Sequence, residues 1–431
     1  MLHENLTINS QGRLCFAGRD TVELAEKYST PLMLMDEDRI RFRMSEYLTA
    51  IKKAFTPNSY PLYASKALCN KQMYRIAKEE GIGIDLVSPG ELYTAIQAGF
   101  DLSRAYFHGN NKTDEDIIYA IENGVGYFIV DNREELDFID YYAGVKKISQ
   151  KILMRLTPGI DPHTHQAIST GKVDSKFGTA IETGQADELI ACALTKQNIT
   201  LMGFHCHVGS QIFEIKPFCD AADIMVKYLA HLKSKFGFET KVLNLGGGFG
   251  VRYVEEHPHI DYTESVNAVA KHVKAKVKEY EINMPDILME PGRSMVADCG
   301  ITLYTVGSVK NITGYKSYVS VDGGMTDNPR YALYQSEYTT LIANKADKPK
   351  NFKCTIAGRC CESGDLLQEN VLIQTPQRGD VLAVLVTGAY NYAMASNYNK
   401  IPRPPIVMIK GGEDYVAVRR ETFEDIARLD N

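Results

Sequence analysis

Four short segments of this chain carry residues whose types and spacing suit covalent chemistry on an anionic ligand. They are Ala64-Ser65-Lys66-Ala67, His205-Cys206-His207, Gly246-Gly247-Gly248-Phe249-Gly250 and Glu290-Pro291-Gly292-Arg293. A lysine amine that loses its water shell forms imines with carbonyl compounds. Glycines let backbone N–H groups approach a phosphate closely, and a carboxylate can accept a hydrogen bond from a protonated ring nitrogen. The four segments therefore predict imine chemistry on a phosphorylated, flat ligand.

Each segment also has an ordinary structural interpretation. Lys66 could be a surface lysine at a strand end, and the glycine run could be a flexible turn. The run does not spell G-x-G-x-x-G, so a dinucleotide fold is disfavoured. Glu290 and Arg293 could form a salt bridge. The residues alone leave these alternatives open.

Two pairs of histidines are candidate metal ligands. His205 and His207 stand two apart on a predicted strand, so their side chains should point to opposite faces and cannot easily share a metal. One of them could stack on a flat ring, with the other hydrogen-bonded in the core. His163 and His165 lie in a predicted polar loop. We expect no metal at either pair.

The elements that must position these residues follow a βα repeat. Helix-start signals such as Ser88-Pro89-Gly90-Glu91 come after apolar, β-branched runs. Eight runs read as strands: Tyr60–Ser65, Gly83–Val87, Arg104–His108, Gly126–Val130, Lys151–Leu156, Leu201–Cys206, Lys241–Leu245 and Asp286–Met289. Eight such units predict an α/β fold with a (β/α)8 TIM barrel, whose active site lies at the carboxyl ends of the strands.

Polar residues do follow those predicted strand ends. They are Lys66, Asp85 with Ser88, His108, Asp131, Arg155, His205 with His207, the glycines 246–248, and Glu290 with Arg293. Because the carboxyl ends of parallel strands meet at one end of a barrel, we expect these residues to share a site.

After about residue 298 the pattern changes to Thr, Val, Ile and Tyr runs broken by turns. Such a pattern indicates a C-terminal antiparallel β-domain. We predict a barrel over residues 31–298 and a β-domain made of residues 1–30 and 299–431. The segments Pro31–Met35 and Asp38–Phe55 are expected to lead into the first barrel strand.

Composition excludes several classes of protein. The 431 residues carry a net charge of −6 with no long block of either sign, which disfavours nucleic-acid binding. Apolar runs fall short of a bilayer span, and the first residues lack a signal-peptide profile. The nine cysteines are scattered without paired spacing, which indicates reduced thiols. We expect a cytoplasmic protein that contacts neither membrane nor nucleic acid.

The motifs also match a known family. In chain order they are Tyr63-Ala64-Ser65-Lys66-Ala67, His205-Cys206-His207-Val208-Gly209-Ser210-Gln211, Gly246-Gly247-Gly248-Phe249-Gly250, Glu290-Pro291-Gly292-Arg293, Cys361-Glu362-Ser363-Gly364-Asp365 and Gly388-Ala389-Tyr390. This set resembles the fold-type III pyridoxal-phosphate decarboxylases, and among them the family that acts on diaminopimelate. The resemblance covers nearly the whole chain and implies that the TIM barrel is alanine racemase-like.

The resemblance implies pyridoxal 5′-phosphate as cofactor. Lys66 would hold it covalently, His205 would stack on its ring, and Glu290 would pair with its ring nitrogen. The other cofactor-binding residues that the resemblance implies are Ser210, Gly247, Gly248, Gly292, Arg293 and Tyr390.

The resemblance further implies a substrate set and a homodimer with shared active sites. Cys361 would act beside the reacting carbon, as proton donor or as a group that orients the leaving carboxylate, and Cys361 and Glu362 would come from the partner subunit. Tyr331 stands where the family often has proline, a mild departure. The substrate-binding residues implied are Arg293, Arg330, Tyr334, Glu362 and Tyr390.

The implied reaction is decarboxylation of meso-2,6-diaminopimelate to L-lysine and CO2, the last step of lysine biosynthesis. Arginines with a glutamate suit the zwitterionic far end of that substrate. Alternatives are a decarboxylase of ornithine, lysine, arginine or carboxynorspermidine, and an alanine racemase, which would need a second acid/base residue in place of the cysteine motif. A non-catalytic relative that binds a partner protein or the cofactor alone is a further alternative, disfavoured because Lys66, Glu290 and Cys361 are present.

Overall fold

The computed structural model describes residues 1–160 and 175–431, and His163 and His165 lie outside these ranges. The chain divides into two compact units. The β unit consists of Met1–Phe42, Val251–His259 and Met295–Asn431, and the barrel unit consists of Arg43–Gly250 and Ile260–Ser294. Over the described ranges, no helix combines the length and hydrophobicity that crossing a bilayer demands.

The chain begins with a small antiparallel sheet of its own. Asp20 then caps a helix, since its carboxylate accepts hydrogen bonds from the first-turn backbone. A buried strand and a long helix follow. The elements are β1 (Leu6–Ile8), β2 (Leu14–Phe16), β3 (Arg19–Asp20), α1 (Thr21–Tyr28), β4 (Leu32–Asp36) and α2 (Glu37–Ala54).

The barrel unit contains the predicted closed ring of parallel strands, so the eight-stranded barrel is confirmed. The ring runs in chain order, and its last strand pairs with its first. A short strand, β10 (Thr179–Ala180), pairs beside β9 outside the ring. The ring strands are β5 (Tyr60–Ala64), β6 (Gly83–Leu86), β7 (Ala105–Phe107), β8 (Tyr127–Val130), β9 (Gln150–Thr157), β11 (Ile199–His205), β12 (Val242–Asn244) and β13 (Asp286–Met289).

The helices between these strands begin and end where the sequence signals indicated. Ser88 accepts from the backbone of Glu91, and Gly99 ends the same helix in the left-handed conformation. Thr113 and Asp116 form a capping box. The helices are α3 (Lys71–Glu79), α4 (Pro89–Ala98), α5 (Asp114–Glu122), α6 (Arg133–Lys146), α7 (Gln185–Thr195), α8 (Lys216–Phe236) and α9 (Tyr262–Glu279).

The interior of the barrel is packed with side chains from several of its strands. Leu62, Ile129 and Leu153 are fully buried there, beside Tyr106. The rings of Tyr106 and Tyr127 stack with centroids 4.4 Å apart. The barrel is therefore a solid core that fixes its strand ends, rather than a pore.

The C-terminal part of the β unit is a mostly antiparallel sheet. Its path is β18-β17-β15-β14-β4-β20-β21, with β16 and β19 joined to it through β14. Two pairings are parallel, β15 with β17 and β4 with β20. The elements are α10 (Arg293–Val296), β14 (Gly300–Ile312), β15 (Lys316–Val321), α11 (Arg330–Tyr334), β16 (Thr340–Ile342), β17 (Phe352–Ala357), β18 (Leu366–Ile373), β19 (Val381–Leu385), β20 (Ile406–Lys410), β21 (Glu413–Val418) and α12 (Phe423–Ala427).

One segment lies where the sequence did not place it. The strand β4 was expected to lead into the barrel, but it pairs with β14 on one side and β20 on the other. All five of its residues are buried, and both partners lie far along the chain, so nothing in the local sequence signals the pairing. The compact β unit consequently extends to Phe42, beyond the predicted boundary at residue 30.

Candidate active site

The carboxyl ends of the barrel strands carry the side chains that the sequence singled out. Lys66 lies in a single helical turn, Ser65–Ala67, directly after β5. The backbone N–H of Ser65 donates to the Asp85 carboxylate at the end of β6, 3.0 Å away. The Lys66 side chain is exposed rather than desolvated, so its amine is accessible to a ligand.

Asp85 is buried beside this lysine. Burial and the negative charge of nearby Glu290 raise the pKa of its carboxyl to about 6, against the opposing charges of His108 and Lys66. The Asp85 carboxyl is thus held near the protonation midpoint at mildly acidic pH, within the electrostatic reach of the Lys66 amine.

Glu290, after β13, lies buried among three polar side chains. Its Oε1 is 2.8 Å from Nε2 of His108 and accepts from Nδ2 of Asn244 at 2.7 Å. Its Oε2 is 3.1 Å from Nε2 of His205. Burial alone would raise the pKa of the Glu290 carboxyl, but the two imidazoles together hold it well below its ordinary value. Glu290 is therefore a carboxylate anion at neutral pH.

The two histidines that flank Cys206 contact different partners, and His207 lies beyond the end of β11. Burial lowers the pKa of His205 to about 4, so its imidazole is neutral and can donate from Nε2 to Glu290. His207 instead receives the backbone N–H of Gly247 on Nδ1, at 3.3 Å. One ring nitrogen of His108, one of His205 and a carboxylate oxygen of Glu290 lie within 4.8 Å of one another.

The glycine run after β12 is held tightly by neighbouring backbone. A Cβ on Gly247 would collide with the carbonyl oxygen of Glu290, and one on Gly248 with that of Gly209. Gly248 has a φ of 120°, which side chains rarely adopt. The run is thus a fixed cradle of backbone, not the flexible turn that the sequence left open.

Asn244 links the cradle to the carboxylate and was not found by sequence reasoning. Its Oδ1 accepts from the backbone N–H of Gly246 at 2.9 Å while its amide donates to Glu290. Asn244 is fully buried at the end of β12. Its type is common at strand ends, so only the two partners reveal its position in the site.

Ser210 and Arg293 meet beside the cradle. An Nη2 of Arg293 donates to the Ser210 hydroxyl at 3.0 Å, and Arg293 itself is buried. Gly292 precedes it, and a Cβ there would press on the Cβ of Ala64 in β5. A cationic guanidinium, a hydroxyl and glycine backbone suit a phosphate.

These residues fit pyridoxal phosphate on chemical grounds. Glu290 is an anion at the floor of the site, which suits a protonated ring nitrogen, and His205 has a buried Nδ1 without a hydrogen-bond partner among the described residues. The glycine cradle leaves no room for side chains, and Lys66 has an accessible amine. The donor set suits one ligand with a phosphate, a basic ring nitrogen and a carbonyl group.

The predicted substrate residues of the β unit group around Arg330. Its guanidinium lies 5.4 Å from the ring centroid of Tyr334 and 5.8 Å from that of Tyr390. It also donates to the Ser336 hydroxyl at 3.1 Å. Arg330 is mostly buried, so the aromatic rings keep the cation oriented at the start of α11.

Cys361 and Glu362 lie in an exposed turn of the β unit. The turn is closed by Asp365, which is buried and accepts the backbone N–H groups of Met325 at 2.6 Å and Cys360 at 2.7 Å. The side chains of Cys361 and Glu362 point outward and are exposed. Asp365 is part of the motif that carries the family resemblance, but its contacts with the backbone are visible only in the structure.

A second buried carboxyl, Asp327, supports the segment that leads to Arg330. It accepts from the hydroxyl of Tyr304 and from the backbone N–H of Gly324 at 3.1 Å. Burial raises the pKa of the Asp327 carboxyl to about 7, and the hydrogen bond from Tyr304 opposes the rise. Sequence reasoning missed this residue because a single aspartate in a turn carries no distinguishing signal.

Comparison with known proteins agrees with this geometry. Residues 40–297 match the family model described as pyridoxal-dependent decarboxylase, pyridoxal binding domain. The chain is 45% identical over 429 residues to the diaminopimelate decarboxylase of Bacillus subtilis, covering all of this chain and 98% of the relative. The crystal structure of the M. jannaschii diaminopimelate decarboxylase in complex with L-lysine superposes with a TM-score of 0.91 at 34% identity, covering 100% and 98% of the two chains. The Helicobacter pylori enzyme of the same name, also with L-lysine, gives 0.86 at 30% identity over 95% and 99%.

Proposed function

The chain belongs to the pyridoxal-dependent decarboxylase family, and we propose that it removes carbon dioxide from meso-2,6-diaminopimelate to form L-lysine, the last step of lysine biosynthesis. The observation that carries this proposal is the arrangement at the barrel mouth: an accessible Lys66, the glycine cradle and the buried Glu290 anion. Full-length identity to diaminopimelate decarboxylases supports the substrate.

The barrel residues hold the cofactor. When bound, pyridoxal phosphate acts as an electron sink for the carbanion left when the C–COO⁻ bond breaks. Glu290 would keep the ring nitrogen protonated through its negative charge, and His205 would pack against the ring. The N–H groups of the glycine run would bind the phosphate, with Ser210 and Arg293 beside them. Lys66 would supply the amine that holds the cofactor.

The substrate set distinguishes the two ends of diaminopimelate. Arg293 and Arg330 offer guanidinium donors for carboxylates, and Glu362 accepts from the distal ammonium. Tyr334 and Tyr390, which orient Arg330, complete the set. A decarboxylase of ornithine or lysine would need only the acidic partner, because those substrates have no distal carboxylate.

The partner subunit supplies Cys361 and Glu362 in this proposal, so the enzyme acts as a homodimer with shared active sites. The outward exposure of both side chains in one chain supports that assignment. Cys361 donates a proton to the substrate carbon or orients the leaving carboxylate. We place the enzyme in the cytoplasm, where the thiol stays reduced.

Release of CO2 from a panel of diamino acids tests the substrate. We expect meso-diaminopimelate to be decarboxylated with L-lysine as product, at a kcat/KM at least a hundred times that for ornithine, lysine or arginine. Preference for one of those three would overturn the substrate assignment while leaving the cofactor assignment standing.

Mixing two inactive variants tests the shared sites. Lys66→Ala and Cys361→Ala homodimers are each expected to be impaired. After subunits are exchanged, half of the dimers are hybrids, each with one intact site, so about a quarter of the wild-type sites should return. Recovery of no activity, from dimers shown to have exchanged, would contradict sharing.

A further inference from the structure

The family resemblance assigns no role to His108, yet this residue lies in direct contact with Glu290. It follows β7, and its backbone N–H donates to the carbonyl of Leu86 in β6 at 2.7 Å. Its ring is buried, and Nε2 lies 2.8 Å from Oε1 of Glu290. The ring N–H is off the line to that oxygen, so the contact is an ion-pair distance rather than an aligned hydrogen bond.

The His108 ring fixes where the carboxylate can go. His108 and Asn244 both contact Oε1, whereas His205 contacts Oε2. The rings of His108 and His205 meet edge to face, with centroids 4.9 Å apart. Because two side chains crowd Oε1 and one contacts Oε2, Oε2 is the oxygen that is more open to a ring nitrogen.

The residues that follow His108 are held by a buried lysine. Nζ of Lys112 donates to the carbonyl of Gly109 at 2.9 Å, to that of Ile129 at 2.7 Å and to Oε1 of Glu135 at 2.7 Å. An ammonium has three N–H donors, and each has an acceptor here. The side chains of Lys112 and Glu135 are almost completely buried.

These contacts tie the His108–Lys112 turn to the next strand and helix. The other oxygen of Glu135 accepts from the backbone N–H of Asp131 at 3.2 Å, just after β8. Gly109 has a φ of 132°, which permits the chain to double back beneath His108. A buried ion pair of this kind contributes definition of position more than stability, because desolvation offsets its attraction.

We propose that His108 is a positioning residue for the Glu290 carboxylate, and that the Lys112–Glu135 pair holds the turn that carries it. The inference rests on the proposed function, since Glu290 is taken to bind the cofactor ring nitrogen. Because His108 contacts Glu290, it would act on the cofactor through the carboxylate.

The test uses the full-length enzyme loaded with pyridoxal phosphate and three variants, His108→Leu, His108→Asn and His108→Gln. Leucine removes the nitrogen, asparagine is too short to reach Glu290, and glutamine places an amide nitrogen near the former Nε2. We expect the leucine and asparagine variants to bind the cofactor about tenfold more weakly and to shift its visible absorption. The glutamine variant should recover most of both properties.

Steady-state kinetics separate positioning from substrate binding. At saturating cofactor, His108→Leu should lower kcat at least tenfold and leave KM for diaminopimelate within twofold, because the turn carries no predicted substrate residue. His231→Leu, on the exposed face of α8, is the matched control and should behave as wild type.

Wild-type cofactor affinity and absorption in a folded His108→Leu or His108→Asn variant would overturn the proposal. If circular dichroism shows that neither variant folds, the double variant Lys112→Met with Glu135→Gln replaces them, because it removes both charges of the buried pair together. This double variant should bind the cofactor at least threefold more weakly. Unchanged cofactor binding in it would also overturn the proposal. A wild-type protein that binds the cofactor but does not decarboxylate diaminopimelate would instead refute the proposed substrate.

Discussion

In the barrel unit the Glu290 carboxylate lies buried among His108, His205 and Asn244, whereas in the β unit the side chains of Cys361 and Glu362 are exposed and only Asp365 beneath them is buried. The first arrangement is assembled from residues of one chain, with side-chain contacts on both oxygens of the carboxylate. The second fixes a backbone turn and leaves the reactive side chains outside. The difference is the one that our proposal requires, in which the barrel unit holds the cofactor and the turn presents its side chains to a partner subunit.

Removing the amine at the barrel mouth should have the largest effect. Lys66→Ala is expected to lower CO2 release on the order of 10²–10⁴-fold, since the amine proposed to hold the cofactor is lost. The visible absorption of the bound cofactor should change with it. Lys71→Ala, at the exposed start of α3, is the control and should keep both. A Lys66→Ala enzyme with wild-type turnover would contradict the assignment of the reaction to the barrel unit.

Filling the glycine cradle should have the next largest effect. A methyl group on Gly247 meets the Glu290 carbonyl oxygen, so the backbone must shift, at a cost of about 1–3 kcal/mol. We expect Gly247→Ala to weaken pyridoxal phosphate binding about tenfold or more, measured by equilibrium dialysis. Gly90→Ala, where a Cβ has ample space, should bind normally. Equal affinities in the two variants would show that the cradle is not rigid.

Removing the buried carboxylate that closes the turn in the β unit should have a smaller effect than filling the glycine cradle, and it should lower kcat. Asp365→Ala leaves the N–H groups of Met325 and Cys360 without their acceptor, which costs about 2 kcal/mol. We expect a lower melting temperature and a lower kcat with cofactor affinity unchanged. Asp430→Asn, in an exposed ion pair near the C-terminus, serves as control. Reduced cofactor affinity in Asp365→Ala would show that the turn also affects cofactor binding, which would contradict the distinction between the two regions.

The smallest effect concerns pH and the carboxyl of Asp327. Its pKa of about 7 in the folded protein exceeds its ordinary value, so the folded state binds more protons than the unfolded state between those values. This group therefore stabilises the fold fully below its ordinary pKa, and that contribution is lost as pH rises through 7.

Between pH 6 and 8 the loss from Asp327 amounts to about 1.4 kcal/mol, one pKa unit of proton binding. Urea unfolding of wild type and Asp327→Asn at both pH values measures it. The free energy of unfolding of wild type should fall by that amount relative to the variant, whose amide cannot titrate. Parallel pH profiles would show that Asp327 keeps its proton state throughout.

Much of the barrel could be predicted because its signals are local. Each strand is a short apolar run, each helix start carries a cap such as Ser88, and a polar residue follows each strand. Once eight units are counted, closure of the barrel brings Lys66, His205 and Glu290 to the same end. Strand β4 shows the opposite case, since its two partners are far along the chain and its own residues would suit either unit.

By itself the sequence determined the barrel, the second β-rich unit, the family and the motif residues, because periodicity, caps and contiguous motifs are encoded by near neighbours. Only the tertiary structure decided which groups surround Glu290, that Asn244 joins the carboxylate to the glycine cradle, and that Asp365 anchors an exposed turn. The contacts of Asn244 with Glu290 and of Asp365 with Met325 join residues that are tens of positions apart. Their protonation and orientation depend on burial and on three-dimensional neighbours, which no local pattern records.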